Sequence, residues 1–159
     1  MNSSELVLRK TITTDLDTLF NNQLDEESNY MAAFTAKDPT DKDAYMAKWT
    51  KIVVNDAVNM QTILLEDKIV GSILHFDAGE ETFVAYGIGK DFWGKGIASA
   101  ALAKFLKLSP KRPLFAQTVF DNLGSQRVLE KNGFVVIGKE INFANARGKE
   151  VEEFVFKLS

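Results

Sequence analysis

The sequence predicts an α+β domain: a mixed, mostly antiparallel sheet of six to seven strands, flanked by about four helices. Three observations carry this. Gln61–Leu65, Lys68–Phe76 and Thr82–Ile88 are consecutive runs of β-branched and aromatic residues separated by short polar turns, the pattern of an antiparallel meander. Ile97–Leu108 is an Ala-rich segment whose apolar residues fall on one helical stripe. Leu114–Val119 and Glu152–Leu158 add further strand patterns on either side of a short helix. With 159 residues, 45% apolar and 26% charged, residues 1–159 are expected to form a single globular domain.

Composition narrows the function classes. The formal net charge of −3 argues against nucleic acid as a partner. Cysteine is absent, which removes disulfides, thiolate catalysis and Cys-based metal sites, and no metal is expected. No apolar run approaches the ~20 residues of a membrane span. The opening MNSSELVLRK lacks a signal-peptide core. A cytoplasmic protein without membrane contact is the expectation.

Taken in order, Glu5–Lys10 alternates as the first strand, with Leu6 and Leu8 on one face. Thr13, Thr14 and Asp15 form the cap region of a helix through Leu19 and Phe20. Asp25–Phe34 reads as a helix or broken turn, ended by Asp38-Pro39. Thr40 and Asp41 cap a helix through Tyr45, Trp49 and Ile52. Glu66-Asp67 makes a tight hairpin, and Gly71 marks a bulge or close packing in the next strand. In the helix after Gly96, Ile97, Ala101, Leu102, Phe105, Leu106 and Leu108 form the buried stripe. Gly124–Asn132 is a short helix with Val128 and Leu129 inward, ended by Asn132-Gly133. Phe134–Ile137 begins strand six, Ile141–Lys149 is a polar loop, and Glu152–Leu158 closes the sheet as strand seven.

The chemistry centres on Tyr86–Ser99, YGIGKDFWGKGIAS. A glycine turn between a strand and a helix start leaves backbone N–H groups unpaired, and the helix dipole adds partial positive charge there. Such a site suits phosphate. Gly89, Gly94 and Lys95 match seven places of a P-loop, but Gly96 stands where the magnesium-binding Ser or Thr belongs. A dinucleotide fingerprint fits poorly, since Ser99 replaces the third small residue's setting and the turn lies mid-chain. FWGKGIA, by contrast, resembles the pyrophosphate motif Q/R-x-x-G-x-G/A of the GNAT acyltransferase superfamily, with Trp93 at the Q/R position, Gly96 at the glycine and Ala98 at the closing small residue. NLGSQRVLEKNGF, Asn122–Phe134, is similar to a second block of the branch of ribosomal-protein N-terminal (Rim-type) acetyltransferases, where Trp is common at position 93. The resemblance covers Leu64–Phe134 well and the N-terminal third loosely.

It implies a GNAT fold splayed between strands four and five, with a bulge at Gly87 opening the gap for a pantetheine arm. It implies acetyl-CoA as cofactor, held by Ile88, Trp93, Gly94, Lys95, Gly96, Ile97, Ala98, Ser99, Asn122 and Ser125. The expected reaction is direct acetyl transfer to a primary amine, on a small molecule or a peptide N-terminus, in a ternary complex. The Ile88 N–H is expected to hold the thioester oxygen, with Asn122 and Ser125 near the sulfur; Ser125 alternatively caps the helix it opens. Many relatives carry a Tyr proton donor where this chain has Leu129, so an acetyl-CoA sensor without turnover is the alternative. Glu27, Asn29, Tyr30, Met31, Phe34 and Tyr86 are the acceptor-side candidates. The lone His75 is expected to be structural, Glu80 and Glu81 to be turn acids, and Lys90, Arg127 and Lys131 to be solvated. A monomer or homodimer fits the resemblance.

Overall fold

A computed structural model describes residues 6–159, so Glu5 of the expected first strand lies outside the described residues. The elements run β1 (Leu6–Lys10), α1 (Leu16–Gln23), α2 (Glu26–Ala32), α3 (Lys42–Val53), β2 (Asn59–Leu65), β3 (Lys68–Ala78), β4 (Glu81–Ile88), α4 (Ile97–Leu108), β5 (Leu114–Val119), α5 (Leu123–Lys131), β6 (Val135–Ala144) and β7 (Lys149–Leu158). The seven strands form one sheet in the order β1-β2-β3-β4-β5-β7-β6. All pairings are antiparallel except β4–β5.

Two apolar layers sandwich the sheet. On one face, Ile97, Ala101, Leu102 and Phe105 of α4 pack with Ile63, Ile73, Val84, Leu114 and Phe156 of the strands. On the other, Leu16 and Leu19 of α1, with Tyr45, Met46 and Trp49 of α3, cover Met60 and Leu74. Adjacent residues Ile73 and Leu74 therefore serve opposite layers, as the pleat requires. Leu108, expected in the α4 stripe, is exposed at the helix's last residue, while Phe105 of the same turn is fully buried.

The meander forms as expected. Glu66 and Asp67 both take positive φ in the two-residue turn, the twist that suits a tight hairpin. Gly71 meets both expectations placed on it. The β2–β3 register skips Val70, a bulge beside Gly71. A Cβ on Gly71 would lie 2.1 Å from the Gly87 carbonyl oxygen, so only glycine lets the two backbones approach. The bulge expected at Gly87 is absent: β4 pairs with β3 without interruption from Ala78↔Glu81 to Gly71↔Ile88. The gap between β4 and β5 exists nonetheless. Their one paired position is Phe83↔Phe115, and beyond it the strands part.

The C-terminal region departs most from expectation. Residues of the supposed polar loop Ile141–Lys149 mostly belong to strands, with β6 continuing to Ala144 and β7 starting at Lys149. β7 does not close the sheet; it inserts between β5 and β6, leaving β6 at the edge. Ile141 and Phe143 stand exposed on that edge strand, so alternation there marks no buried face. Among the described residues five α-helices flank the sheet, against the expected four or so.

Candidate active site

The parting of β4 from β5 leaves backbone groups of β4 facing a gap. Gly89 N–H donates to the Val70 carbonyl at 2.8 Å. In an antiparallel ladder, successive residues turn their polar groups to opposite sides. Ile88, one residue earlier, therefore turns its N–H and carbonyl away from β3 and toward the opened edge. The Ile88 carbonyl accepts a bond from Trp93 Nε1–H at 2.8 Å.

That bond gives Trp93 a role the motif did not predict. Its indole donor fastens the loop to the end of β4 and is not free for a phosphate. The loop itself is wound tightly: Phe92 N–H donates to the Gly89 carbonyl at 2.9 Å and Trp93 N–H to the Lys90 carbonyl at 3.1 Å. Gly94 and Gly96 then take φ of 76° and 75°, the left-handed region that L side chains disfavour. Gly96 caps α4 with no side chain of its own, so the N–H groups of Ile97, Ala98 and Ser99 form the start of a 12-residue helix without a capping oxygen. Open space lies where a Cβ would project from either glycine. These are the features a pyrophosphate needs, and the cradle fits coenzyme A. Lys95 stands exposed at the turn, 5.7 Å from the Phe92 ring centre. Gly96→Ala is expected to cost about 1 kcal/mol in strain and no clash. Urea unfolding measures this, and a loss above about 3 kcal/mol would contradict an open cradle.

The second motif lies across the gap. Asn122 caps α5, its Oδ1 accepting the Ser125 N–H at 3.1 Å, while its Nδ2 donates to the Met31 carbonyl at 3.5 Å. Ser125 is thus not the cap, and its hydroxyl is available. It lies 2.9 Å from Tyr86 Oη, which also donates to the Ser125 carbonyl at 3.2 Å. Tyr86 projects from β4, so a phenol reaches the start of α5 from the opposite strand. Burial, opposed by the Ser125 hydrogen bond, pushes its pKa up to about 12. Leu129, where the resemblance implies a Tyr, is core. Ser99 accepts from Asn132 Nδ2 at 3.3 Å, which locks the start of α4 to the end of α5.

Helix α2 spans this gap. Near its start, Lys90 of the loop pairs with Glu27 at 2.8 Å and lies 3.8 Å from Asp25. Lys90 is therefore a tie between elements and not a merely solvated residue, and Glu27 faces a cation already. At its end, Met31 meets Asn122. Between them Asn29 carries a buried Oδ1 without a hydrogen-bond partner among the described residues. Tyr30 and Phe34 are exposed. The structure thus gathers Ile88, Tyr86, Asn122, Ser125 and α2 around one opening.

Other residues stay apart from it. His75 Nε2 bonds with Ser109 Oγ at 3.1 Å and its ring meets Phe105 edge-on; burial lowers its pKa. Glu80 and Glu81 sit at the far end of β4, by its turn with β3. Arg127 and Lys131 are exposed. The sequence reading missed Arg147, which joins Asp121 at 2.9 and 3.0 Å and the Tyr30 carbonyl at 2.7 Å. No local signal marks it.

The spermidine N-acetyltransferase of Vibrio cholerae, solved with CoA and spermine, superposes with a TM-score of 0.83 at 15% identity, over 98% of this chain and 95% of that one. The ribosomal-protein-S5-alanine acetyltransferase of Vibrio fischeri gives 0.75 at 17% identity, over 97% and 92%. Mycobacterium smegmatis RimJ, solved with CoA-disulfide, gives 0.77 at 18% identity, over 96% and 81%. At such identities the likeness is one of fold. No curated protein matches the sequence. The family described as the acetyltransferase (GNAT) domain matches residues 5–135, which takes in the Gly94–Gly96 cradle, the parted strands and the Asn122 cap together. With a family match over most of its length and a sheet parted where that family's fold parts, this chain belongs to the GNAT acetyltransferases.

Proposed function

We propose that residues 1–159 act as a single-domain, cytoplasmic, acetyl-CoA-dependent N-acetyltransferase on a primary amine, transferring the acetyl group directly in a ternary complex. The observation that carries this is the Tyr86–Ser125 pair, 2.9 Å apart across the β4–β5 gap. It supplies a protonated donor where Leu129 supplies none.

Each residue has a task in this reading. The N–H groups of Ile97, Ala98 and Ser99, with Gly94, Lys95 and Gly96, hold the pyrophosphate at the start of α4. Trp93 keeps that loop in register with β4. The Ile88 N–H faces the gap and holds an oxygen on which negative charge develops. Asn122 orients the start of α5, and with it Ser125. Bound acetyl-CoA supplies the reactive thioester. Tyr86 keeps its proton at neutral pH and, paired with Ser125, donates it to a leaving group. On the acceptor side, Asn29 Oδ1 takes an amine N–H and Met31 lines the wall. Glu27 and Asp25 face Lys90, so the acidic start of α2 is no open receptor for a polycation; exposed Tyr30 and Phe34 offer aromatic surface instead. A peptide N-terminus fits that surface better than a polyamine.

Two measurements test the reading. A thermal-shift titration with acetyl-CoA, against ATP and NAD, is expected to respond to acetyl-CoA alone, by about 2.7 kcal/mol at 100 times the dissociation constant. Thiol release is then followed with an alanine-initiated peptide and with spermidine, the peptide giving the higher kcat/KM. Binding without release makes the chain a sensor. No shift with acetyl-CoA overturns the reading.

A further inference from the structure

We propose that Arg147, in the turn between β6 and β7, is a positioning residue that sets the acceptor wall by clamping α2 to the start of α5. The inference rests on the transferase reading and adds to it a part of the chain that lies outside both motifs.

Three successive residues of the turn donate to three carbonyls of the α2 segment. Asn145 Nδ2 reaches the Thr35 carbonyl at 2.7 Å and Ala146 N–H the Ala33 carbonyl at 3.1 Å. Arg147 Nε reaches the Tyr30 carbonyl at 2.7 Å. The same guanidinium lies 3.7 Å from the Tyr30 ring centre and grips both oxygens of Asp121, at 2.9 and 3.0 Å. Its side chain is only 2% exposed. A planar fork that satisfies a carboxylate, a carbonyl and an aromatic face at once is a geometry lysine does not reproduce. Asp121 immediately precedes Asn122, so one side chain fixes the α2 backbone relative to the cap that orients Ser125.

The clamped segment is strained. Ala33 takes φ 64° and ψ −60°, and Phe34 N–H donates to the Ala32 carbonyl at 2.7 Å. This is a γ-turn of the rare, strained kind. Such turns persist where surrounding contacts over-determine them. Ala33 is buried with Val119, Ala144 and Val151, and its own carbonyl, at the centre of the turn, is the one that Ala146 holds. Released from the β6–β7 turn, the backbone at Ala33 is free to relax, and Tyr30, Met31 and Phe34 shift with it.

The test compares wild type with Arg147→Lys and Asn145→Ala. For the amine probe, the alanine-initiated peptide or spermidine, Arg147→Lys is expected to raise KM about tenfold, more than it changes kcat, while the acetyl-CoA dissociation constant stays within about twofold. Amide exchange of residues 30–35 is expected to accelerate, with α4 unchanged. An unchanged amine KM overturns the clamp, as does an equal weakening of acetyl-CoA, which general loosening would give. If Arg147→Lys does not fold, Asn145→Ala decides: its side chain is exposed, and the expected KM rise is about threefold. A wild-type chain that binds acetyl-CoA and releases no thiol with either amine overturns the transferase reading instead. In that case the exchange comparison judges the clamp, and unaccelerated amides in residues 30–35 overturn it.

Discussion

Tyr86→Phe is expected to lower kcat about 100-fold while leaving the acetyl-CoA dissociation constant within about threefold, the range for removing a positioned proton donor. The substitution deletes one oxygen and keeps the ring that packs against the α4-side core. What it removes is the donor paired with Ser125 across the gap. The Ser125 hydroxyl loses a partner but stays near the opening, where water replaces it, so the stability cost is about 1 kcal/mol. Ser125→Ala is expected to have a smaller effect, since the phenol itself remains. The pH profile separates this donor from an ordinary acid. Burial pushes the Tyr86 pKa up to about 12, so the phenol is protonated throughout the range from neutrality to pH 9. Wild type should therefore show no falling alkaline limb below pH 9 from loss of this proton. Retention of kcat within about threefold in Tyr86→Phe would remove Tyr86 from the chemistry and leave proton donation to the Ser125 hydroxyl.

The parts of this site that were legible in the sequence are those built by neighbours along the chain. Gly94, Gly96 and the start of α4 form their cradle within a few residues, so spacing alone exposes it. The motif that opens at Asn122 is equally local, although its capping of α5, a side chain reaching a backbone N–H three positions on, was not read there. The meander was legible because Glu66-Asp67 and the runs beside it carry both turn chemistry and alternation. Residues that act across the sheet were not. Tyr86 finds Ser125 at a separation of 39 positions, and Arg147 finds Tyr30 at 117. Nothing in the composition of Ile141–Lys149 distinguishes a clamp from a polar loop. The same segment hid its strands, because β6 is an edge and Ile141 and Phe143 alternate toward solvent. Ser125 was left between a place near the sulfur and the helix cap for a related reason. A serine near a helix start suits a cap, and only the position of Asn122 ahead of it shows which side chain wins.

Asp15→Ala is expected to lose about 3 kcal/mol, although Asp15 lies outside the proposed chemistry. Its carboxylate is 3% exposed and accepts four bonds: two from the Arg9 guanidinium at 2.7 and 2.8 Å, one from the Ile12 N–H at 3.0 Å and one from Thr62 Oγ1 at 2.8 Å. Thr11 Oγ1 adds a further bond to Thr62 at 2.9 Å, so the end of β1, the entry to α1 and the middle of β2 meet in one buried polar knot. Arg9 is 38% exposed and turns to water when its partner is lost. The Ile12 N–H and the buried Thr62 hydroxyl lose an acceptor, Thr62 keeping only its bond to Thr11, and a buried group left unpaired costs about 1–3 kcal/mol. Burial alone would raise the Asp15 pKa, but the bonds from Arg9, Ile12 and Thr62 outweigh it and hold the carboxyl below the usual carboxylate range. The folded state thus binds this proton less readily than the unfolded chain. The contribution is full above the unfolded value, about 3.9, and is lost as pH falls through the lower folded value. Urea unfolding of wild type and Asp15→Ala at pH 7 should differ by the full amount, and the difference should shrink as pH drops below about 4. A difference under about 1 kcal/mol at pH 7, or one that grows on acidification, would show that α1 is held by its apolar contacts with Met60 and Leu74 alone.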